Sequence, residues 1–155
     1  MAFFRIQILT RLFVVHIKKI ANTQGVNSSL SDGKHFLMFD FDNVKLLKVW
    51  YELKKTQLKY DLPNIYIANT GKPDSFHAYC LKRVSFIEMV QVALNCESID
   101  RTFVRFMLFR NHGTLRISEK NGRQITRVHT IESKTKETVS VKEFTSYTKY
   151  ETGNI

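Results

Sequence analysis

Hydrophobic and polar positions change rhythm several times along the chain. His35-Phe-Leu-Met-Phe-Asp-Phe-Asp42 alternates with the period of two expected for a strand. That period puts Leu37, Phe39 and Phe41 on one face and Met38, Asp40 and Asp42 on the other. Val44 to Leu58 switches to a helical period, with Val44, Leu47, Tyr51 and Leu58 sharing a face. Asn43 is the expected cap of this helix, and Pro63 lies beyond its end. Asn64 to Asn69 and Ser75 to Leu81 read as strands on either side of a turn built on Gly71 and Pro73. Phe86, Met89, Val90, Ala93 and Leu94 repeat at helical spacing, which predicts a helix over Ser85–Asn95. Ser85 with Glu88 supplies its capping box.

The remaining segments are less regular. Phe3 to Ile20 is apolar with interspersed basic residues and favours strand around Phe13–Ile17. Asn22 to Lys34, rich in Asn, Ser and Gly, reads as a loop. Phe103 to Phe109 is hydrophobic without a decisive period. Thr114–Ser118 and Gln124–Ile131 predict a hairpin turning at Asn121-Gly122. Past Glu132, alternating Val139, Val141 and Phe144 predict one edge strand and a frayed end. The order of elements gives an α+β domain: a mostly antiparallel sheet, helices on one face, polar residues on the other. A single domain over residues 1–150 with a tail at 151–155 accounts for the chain, whose 155 residues suffice for a core without staples.

Charge narrows the class of partner. The chain carries 24 Lys and Arg against 14 Asp and Glu, a net +10, which favours polyanions. Nine of the basic residues fall between Arg101 and Lys136, against two Glu. That stretch is the candidate phosphate-facing surface, with Arg101, Arg105, Arg123 and Arg127 as nucleic-acid contacts; the alternative is a solvated basic face. Phe103, Phe106 and Phe109 are either stacking platforms within it or core residues. Cys80 and Cys96 are isolated on apolar segments, as expected of reduced, buried thiols in a cytosol-like compartment. No apolar run reaches the roughly 18 to 20 residues of a membrane span, so no membrane partner is expected. Met1 to Leu9 lacks the arrangement of a signal peptide, and no zinc-ligand spacing is present.

Three short polar sites carry candidate chemistry. Asp40 and Asp42, one residue apart on the same face of an apolar strand, repel unless a cation lies between them, and their oxygens suit a hard divalent ion. The alternative is that the strand ends at Phe41 and the pair opens a turn. Ser75 and His77 share a strand face, where hydroxyl and imidazole can donate to a phosphate; a lone strand histidine is otherwise a structural group. Nucleophilic serine chemistry lacks its strand-to-helix elbow here. Asp100 precedes Arg101, Arg105, Arg110, Arg116, Lys120, Arg123 and Arg127, company in which a carboxylate finds either an arginine partner or a metal. Glu97 and Glu119 compete with it as a third acidic ligand. Glu52-Leu-Lys54, a nuclease-like triplet, falls within the expected helix rather than on a strand.

Taken together, three segments resemble the archaeo-eukaryotic primase superfamily, in particular its primase-polymerase branch. Phe39-Asp-Phe-Asp42 is similar to the family's first motif, a strand ending in DxD or DxE. Ser75-Phe-His77 is similar to the second, an SxH following a turn that contains glycine, here Gly71. Ile99-Asp100, then Arg110-Asn111 and Leu115-Arg-Ile-Ser118 with Lys120 and Gly122, resemble the third and its basic sequel. The resemblance covers about Phe36 to Arg123. It implies a palm-like module, related to the RNA-recognition motif, that extends polynucleotides from nucleoside triphosphates on a single-stranded nucleic-acid template. It implies Mg2+ or Mn2+ held by Asp40, Asp42 and Asp100, with Ser75, His77, Arg110, Arg116, Ser118 and Lys120 toward the triphosphate. A helicase or other replication proteins are the implied company, in the cytoplasm or the replication compartment of a viral or plasmid host. The chain is shorter than most family members, and the interval from Asp100 to Arg116 leaves the third carboxylate open. A non-catalytic single-strand-binding factor with the same fold is the competing expectation.

Overall fold

A computed structural model of the chain describes the backbone of residues 2–8, 11–17 and 21–152 and the side chains of residues 23–149. The elements run β1 (Ala2–Ile8), β2 (Arg11–Ile17), β3 (Ala21–Asn27), β4 (His35–Asp42), α1 (Leu46–Tyr60), β5 (Ile65–Asn69) and β6 (Ser75–Val84). They continue with α2 (Phe86–Leu94), α3 (Arg101–Arg110), β7 (Thr114–Arg116), β8 (Thr126–Ile131), a 3-10 turn at Val141–Glu143 and β9 (Tyr147–Thr152). The chain is therefore α+β, and among the described residues every strand pair is antiparallel.

The larger sheet has strand order β4-β6-β5-β8. Leu37, Phe39 and Phe41 of β4 lie directly opposite Cys80, Ala78 and Phe76 of β6, and Ile65 and Ile67 of β5 continue the row. All of these are buried, and Val49 and Leu53 of α1 and Met89 of α2 belong to the same core. The face opposite is polar. Asp40 lies across from His77, Asp42 across from Ser75, and Ala68 between His77 and Arg127.

That polar face is open only at one end. Met38 has the parity of Asp40 yet is fully buried, and Gly113 lies against it and the Phe103 ring. The second sheet, β7-β3-β9, adjoins there: the Ser28 amide donates to the Gly113 carbonyl and the Phe36 amide to the Ser28 carbonyl. Side-chain exposure then rises along β4, from none at Met38 through 22% at Asp40 to 47% at Asp42. The expectation of helices on one face and polar residues on the other thus holds for the Asp40–Asp42 end of β4, while its Met38 end is covered on both faces.

Several elements differ from the expectation. The supposed loop at Asn22–Lys34 holds β3, whose Thr23 and Asn27 are buried, as is Ser28 just after it, because their polar groups have partners. Asn27, for example, accepts from the Thr114 hydroxyl at 2.7 Å and donates to that of Ser146 at 2.9 Å. Phe103–Phe109 belongs to helix α3, with Asp100 as its cap. Helix α1 starts after Lys45 with no side-chain cap, and Asn43 adopts a left-handed φ of 59° instead of capping. The expected apolar stripe of α1 faces outward, Leu47 being 78% exposed and Leu58 72%. The buried face carries Val49, Glu52, Leu53, Thr56 and Gln57. Those polar groups are satisfied: Glu52 accepts from the Ser98 amide and hydroxyl, and Gln57 donates to the carbonyls of Pro63 and Ile131. The Asn121-Gly122 turn forms, but only the Lys120–Arg123 pair closes it; β7 joins β3 and β8 joins β5, in different sheets. Val141 lies in the 3-10 turn rather than a strand, and the terminal edge strand β9 runs through Thr152. Cys80 and Cys96 are free and buried.

Candidate functional site

The register of β4 on β6 builds the site. Because cross-strand partners project from the same face, Asp40 meets His77 and Asp42 meets Ser75. The Ser75 hydroxyl donates to Asp42 Oδ1 at 2.7 Å, and Lys72 Nζ approaches Asp42 Oδ2 at 3.4 Å. His77 Nε2 stands 3.7 Å from Asp40 Oδ1, and its Nδ1, buried, has no hydrogen-bond partner.

The electrostatics follow from burial. Desolvation, then the neighbouring carboxylates of Asp42 and Asp100, push the Asp40 pKa up to about 7. Burial first, then the Arg116 guanidinium, push the His77 pKa down to about 4. Just below neutrality the facing groups are thus a carboxylic acid and a neutral imidazole rather than an ion pair. Asp42 and Asp100 bear on a poorly solvated Asp40, a repulsion that a cation beside Asp40 and Asp42 would relieve.

Asp40 and Asp42 border a cleft of about 280 Å³ lined also by Thr70, Lys72, His77, Arg116, Lys120 and Arg123. Four cationic side chains therefore surround two carboxylates. Gly71 makes this wall possible. Its φ is +79°, and a Cβ there would stand 2.7 Å from the Arg123 Cβ and 3.0 Å from the Gln124 carbonyl. Arg116 closes the wall by donating to the carbonyls of Ser118 (2.6 Å), Arg123 (3.1 Å) and Thr70 (2.6 Å).

Asp40 also borders a second, smaller cleft, with Asp100, Phe103, Phe106, Arg110 and His112. The Asp100 amide donates to the Asp40 carbonyl at 2.8 Å, along the edge of β4 that no strand covers. Its carboxylate accepts from the amides of Thr102 (2.8 Å) and Phe103 (3.3 Å), capping α3. Of the three candidate third acids, Asp100 is the one beside Asp40. Glu97 borders a different hollow, next to Lys48 and Tyr51, and Glu119 accepts from the Gly122 amide. Among the described residues, no three Asp, Glu, His or Cys side chains converge as a ready set of metal ligands.

The other expected contacts divide between the clefts. Lys120 and Arg123 line the first, Arg110 the second. Arg127 is exposed on β8, on the face of His77. Arg101 and Arg105 are exposed on α3. Ser118 is turned to structure: its hydroxyl oxygen accepts from the Gln24 amide at 2.8 Å. Lys72 was not singled out from the sequence, although its place between Gly71 and Pro73, ahead of Ser75, was a usable signal.

The chain matches no protein-family model, no curated protein and no solved structure. Among the described residues no helix is long and apolar enough to cross a membrane.

Proposed function

We propose that the chain is a nucleotidyltransferase that extends a nucleic-acid strand from nucleoside triphosphates on a single-stranded template. One observation carries the reading: a strand register that sets Asp40 against His77 and Asp42 against Ser75, at the mouth of a cleft walled by Lys72, Arg116, Lys120 and Arg123. The order of the DxD, SxH and acidic–basic segments, which resembles the archaeo-eukaryotic primase superfamily and its palm-like module, supports the same chemistry.

The donor set suits Mg2+ or Mn2+ even without a third converging ligand. Magnesium is commonly held by one or two carboxylates with the remaining positions filled by water and substrate phosphates. Asp40 and Asp42 would hold the ion, which supplies charge neutralisation on the phosphates and activation of the attacking hydroxyl. Lys72, Lys120 and Arg123 bring positive charge to the β- and γ-phosphates, where negative charge collects as pyrophosphate leaves. Arg116, with three donors committed to carbonyls, fixes the cleft wall and adds its charge to the field. Neutral His77 lines the same cleft and faces Asp40 with its Nε2. Ser75 orients the Asp42 carboxylate through its 2.7 Å bond.

The test is incorporation of labelled nucleotides on a primed single-stranded template with magnesium or manganese. Wild type should extend the primer, and the Asp40→Ala/Asp42→Ala protein should lose the activity by at least about a thousandfold. Undiminished incorporation by that variant, or none by wild type, contradicts the reading. A second reading, a non-catalytic single-strand-binding factor, is favoured by the Asp100 carboxylate, which is engaged by the α3 amides. It requires strand binding without incorporation.

A further inference from the structure

Helix α3 carries a surface that the catalytic site does not use. Its sequence, Arg-Thr-Phe-Val-Arg-Phe-Met-Leu-Phe-Arg, contains no acidic residue, and it turns Phe103, Val104 and Met107 into the core. Phe106 and Phe109 are three residues apart, and the pairs Arg105–Phe109 and Phe106–Arg110 four apart, so the four side chains adjoin on a single face. All four are exposed; Phe106 is 51% and Phe109 87% accessible, unusual for aromatic side chains with apolar alternatives. Arg110 holds its guanidinium 5.0 Å from the Phe106 ring centroid, a cation–π contact that steadies the ring and leaves charge beside it. Phe106 and Arg110 also line the second cleft, which ends at Asp40 and Asp100.

We propose that this face of α3 is the platform on which the single-stranded nucleic acid stacks. Bases lie on Phe106 and Phe109, and Arg101, Arg105 and Arg110 neutralise the phosphates between them. Charge complementarity selects the occupant: rings interleaved with arginines, and no acid, suit a polyanion whose bases have unpaired π-faces. The proposal rests on the reading of the site as one that works on a nucleic-acid strand, and it assigns the surface leading to Asp40.

Fluorescence anisotropy with a labelled oligonucleotide, and with an abasic strand of the same length and charge, separates stacking from backbone attraction. Two stacked bases should make wild type bind the base-bearing strand about twentyfold or more tighter than the abasic one. In Phe106→Ala/Phe109→Ala that preference should shrink to within about threefold while abasic affinity holds. The Phe106→Tyr/Phe109→Tyr protein, which keeps both rings, should retain it. Both rings are exposed, so matching circular-dichroism melts verify that the variants fold. Equal wild-type affinity for the two strands, or an undiminished preference in the alanine variant, overturns the proposal. So does a change confined to self-association, which would make the face a protein interface. The arms separate it from the catalytic reading. Incorporation that depends on Asp40 and Asp42, with no base preference lost on α3, removes only the platform. Base-dependent binding through α3 by a protein that incorporates nothing removes only the catalysis.

Discussion

At the residue scale the account turns on Asp40. Its place was legible in the sequence because strand parity alone puts Asp40 and Asp42 on the face away from Phe39 and Phe41. Its protonation was not legible, because that depends on burial beside His77 and on Asp100 arriving from another element. The sign of the resulting pH effect is fixed. With a folded pKa near 7 against an ordinary value of 3.8, the native state holds a proton that the unfolded chain has released between those pH values, so Asp40 contributes less stability as pH rises through that window. His77 works the other way. Its folded pKa near 4 lies below 6.5, so its contribution grows as pH rises from about 4 to 6.5. Asp40→Asn isolates the first effect, since the amide mimics the protonated acid. Denaturant melts in the absence of divalent ions should show this variant gaining stability over wild type as pH rises, its advantage at pH 8 exceeding that at pH 5 by on the order of 2 kcal/mol. A variant that gains nothing over wild type between pH 5 and pH 8 would mean that Asp40 is not a strained, buried carboxylate.

At the scale of elements, what the sequence conveyed depended on whether burial followed hydrophobicity. Where it did, the reading succeeded. β4 and the α2 helix with its Ser85–Glu88 capping box occur where the pattern put them. Where polar groups are buried with partners, the pattern misled. Glu52, Thr56 and Gln57 occupy the inner face of α1 through bonds to Ser98, Asn95 and Ile131, partners distant in sequence, and to nearby Pro63, and Leu47 and Leu58 are displaced outward. β3 escaped notice for the same reason, its Asn27 side chain being satisfied by Thr114 and Ser146 and that of the following Ser28 by Gly113. The turn from Asn69 to Ser75 was legible through Gly71 and Pro73, but its contact with Arg123 was not, since no local signal reports a pairing across 52 positions. That contact gives a test. Gly71→Ala forces a Cβ into the Arg123 side chain at a φ that alanine disfavours. It should cost about 1–3 kcal/mol in denaturant melts and weaken triphosphate binding, whereas Gly33→Ala, with open space around its Cβ, should leave triphosphate binding unchanged. Equal binding loss in both variants would detach Gly71 from the cleft.

At the scale of the molecule, a basic excess concentrated in the last third of the chain is distributed by the fold onto two sides of Asp40. Lys120 and Arg123 line the first cleft, with Arg127 exposed on the same sheet face, and Arg110 lines the second, with Arg101 and Arg105 exposed on the same helix. Charge composition raised the expectation of a polyanion partner but gave no sign of this division, because α3 was invisible as a helix in a run of aromatic and basic residues. If the three α3 arginines and Lys120, Arg123 and Arg127 all meet phosphates, the slope of log affinity for single strands against log salt should be about −4. Removing the α3 arginines together (Arg101→Ala/Arg105→Ala/Arg110→Ala) should reduce that slope by about 2. An unchanged slope in the triple variant would exclude α3 from the strand's path.

The central claim is that the Asp40–Asp42 carboxylates and the basic cleft form one site for a divalent ion and a nucleoside triphosphate. Calorimetric titration of manganese into the protein, with and without a nonhydrolysable triphosphate, tests it most directly. Wild type should bind manganese at least about tenfold more tightly when the triphosphate is present, and the triphosphate should gain by the same factor from manganese, as linkage requires. Asp40→Asn/Asp42→Asn should abolish the coupling. Manganese and triphosphate that bind independently, or coupling that survives loss of both carboxylates, would contradict the account.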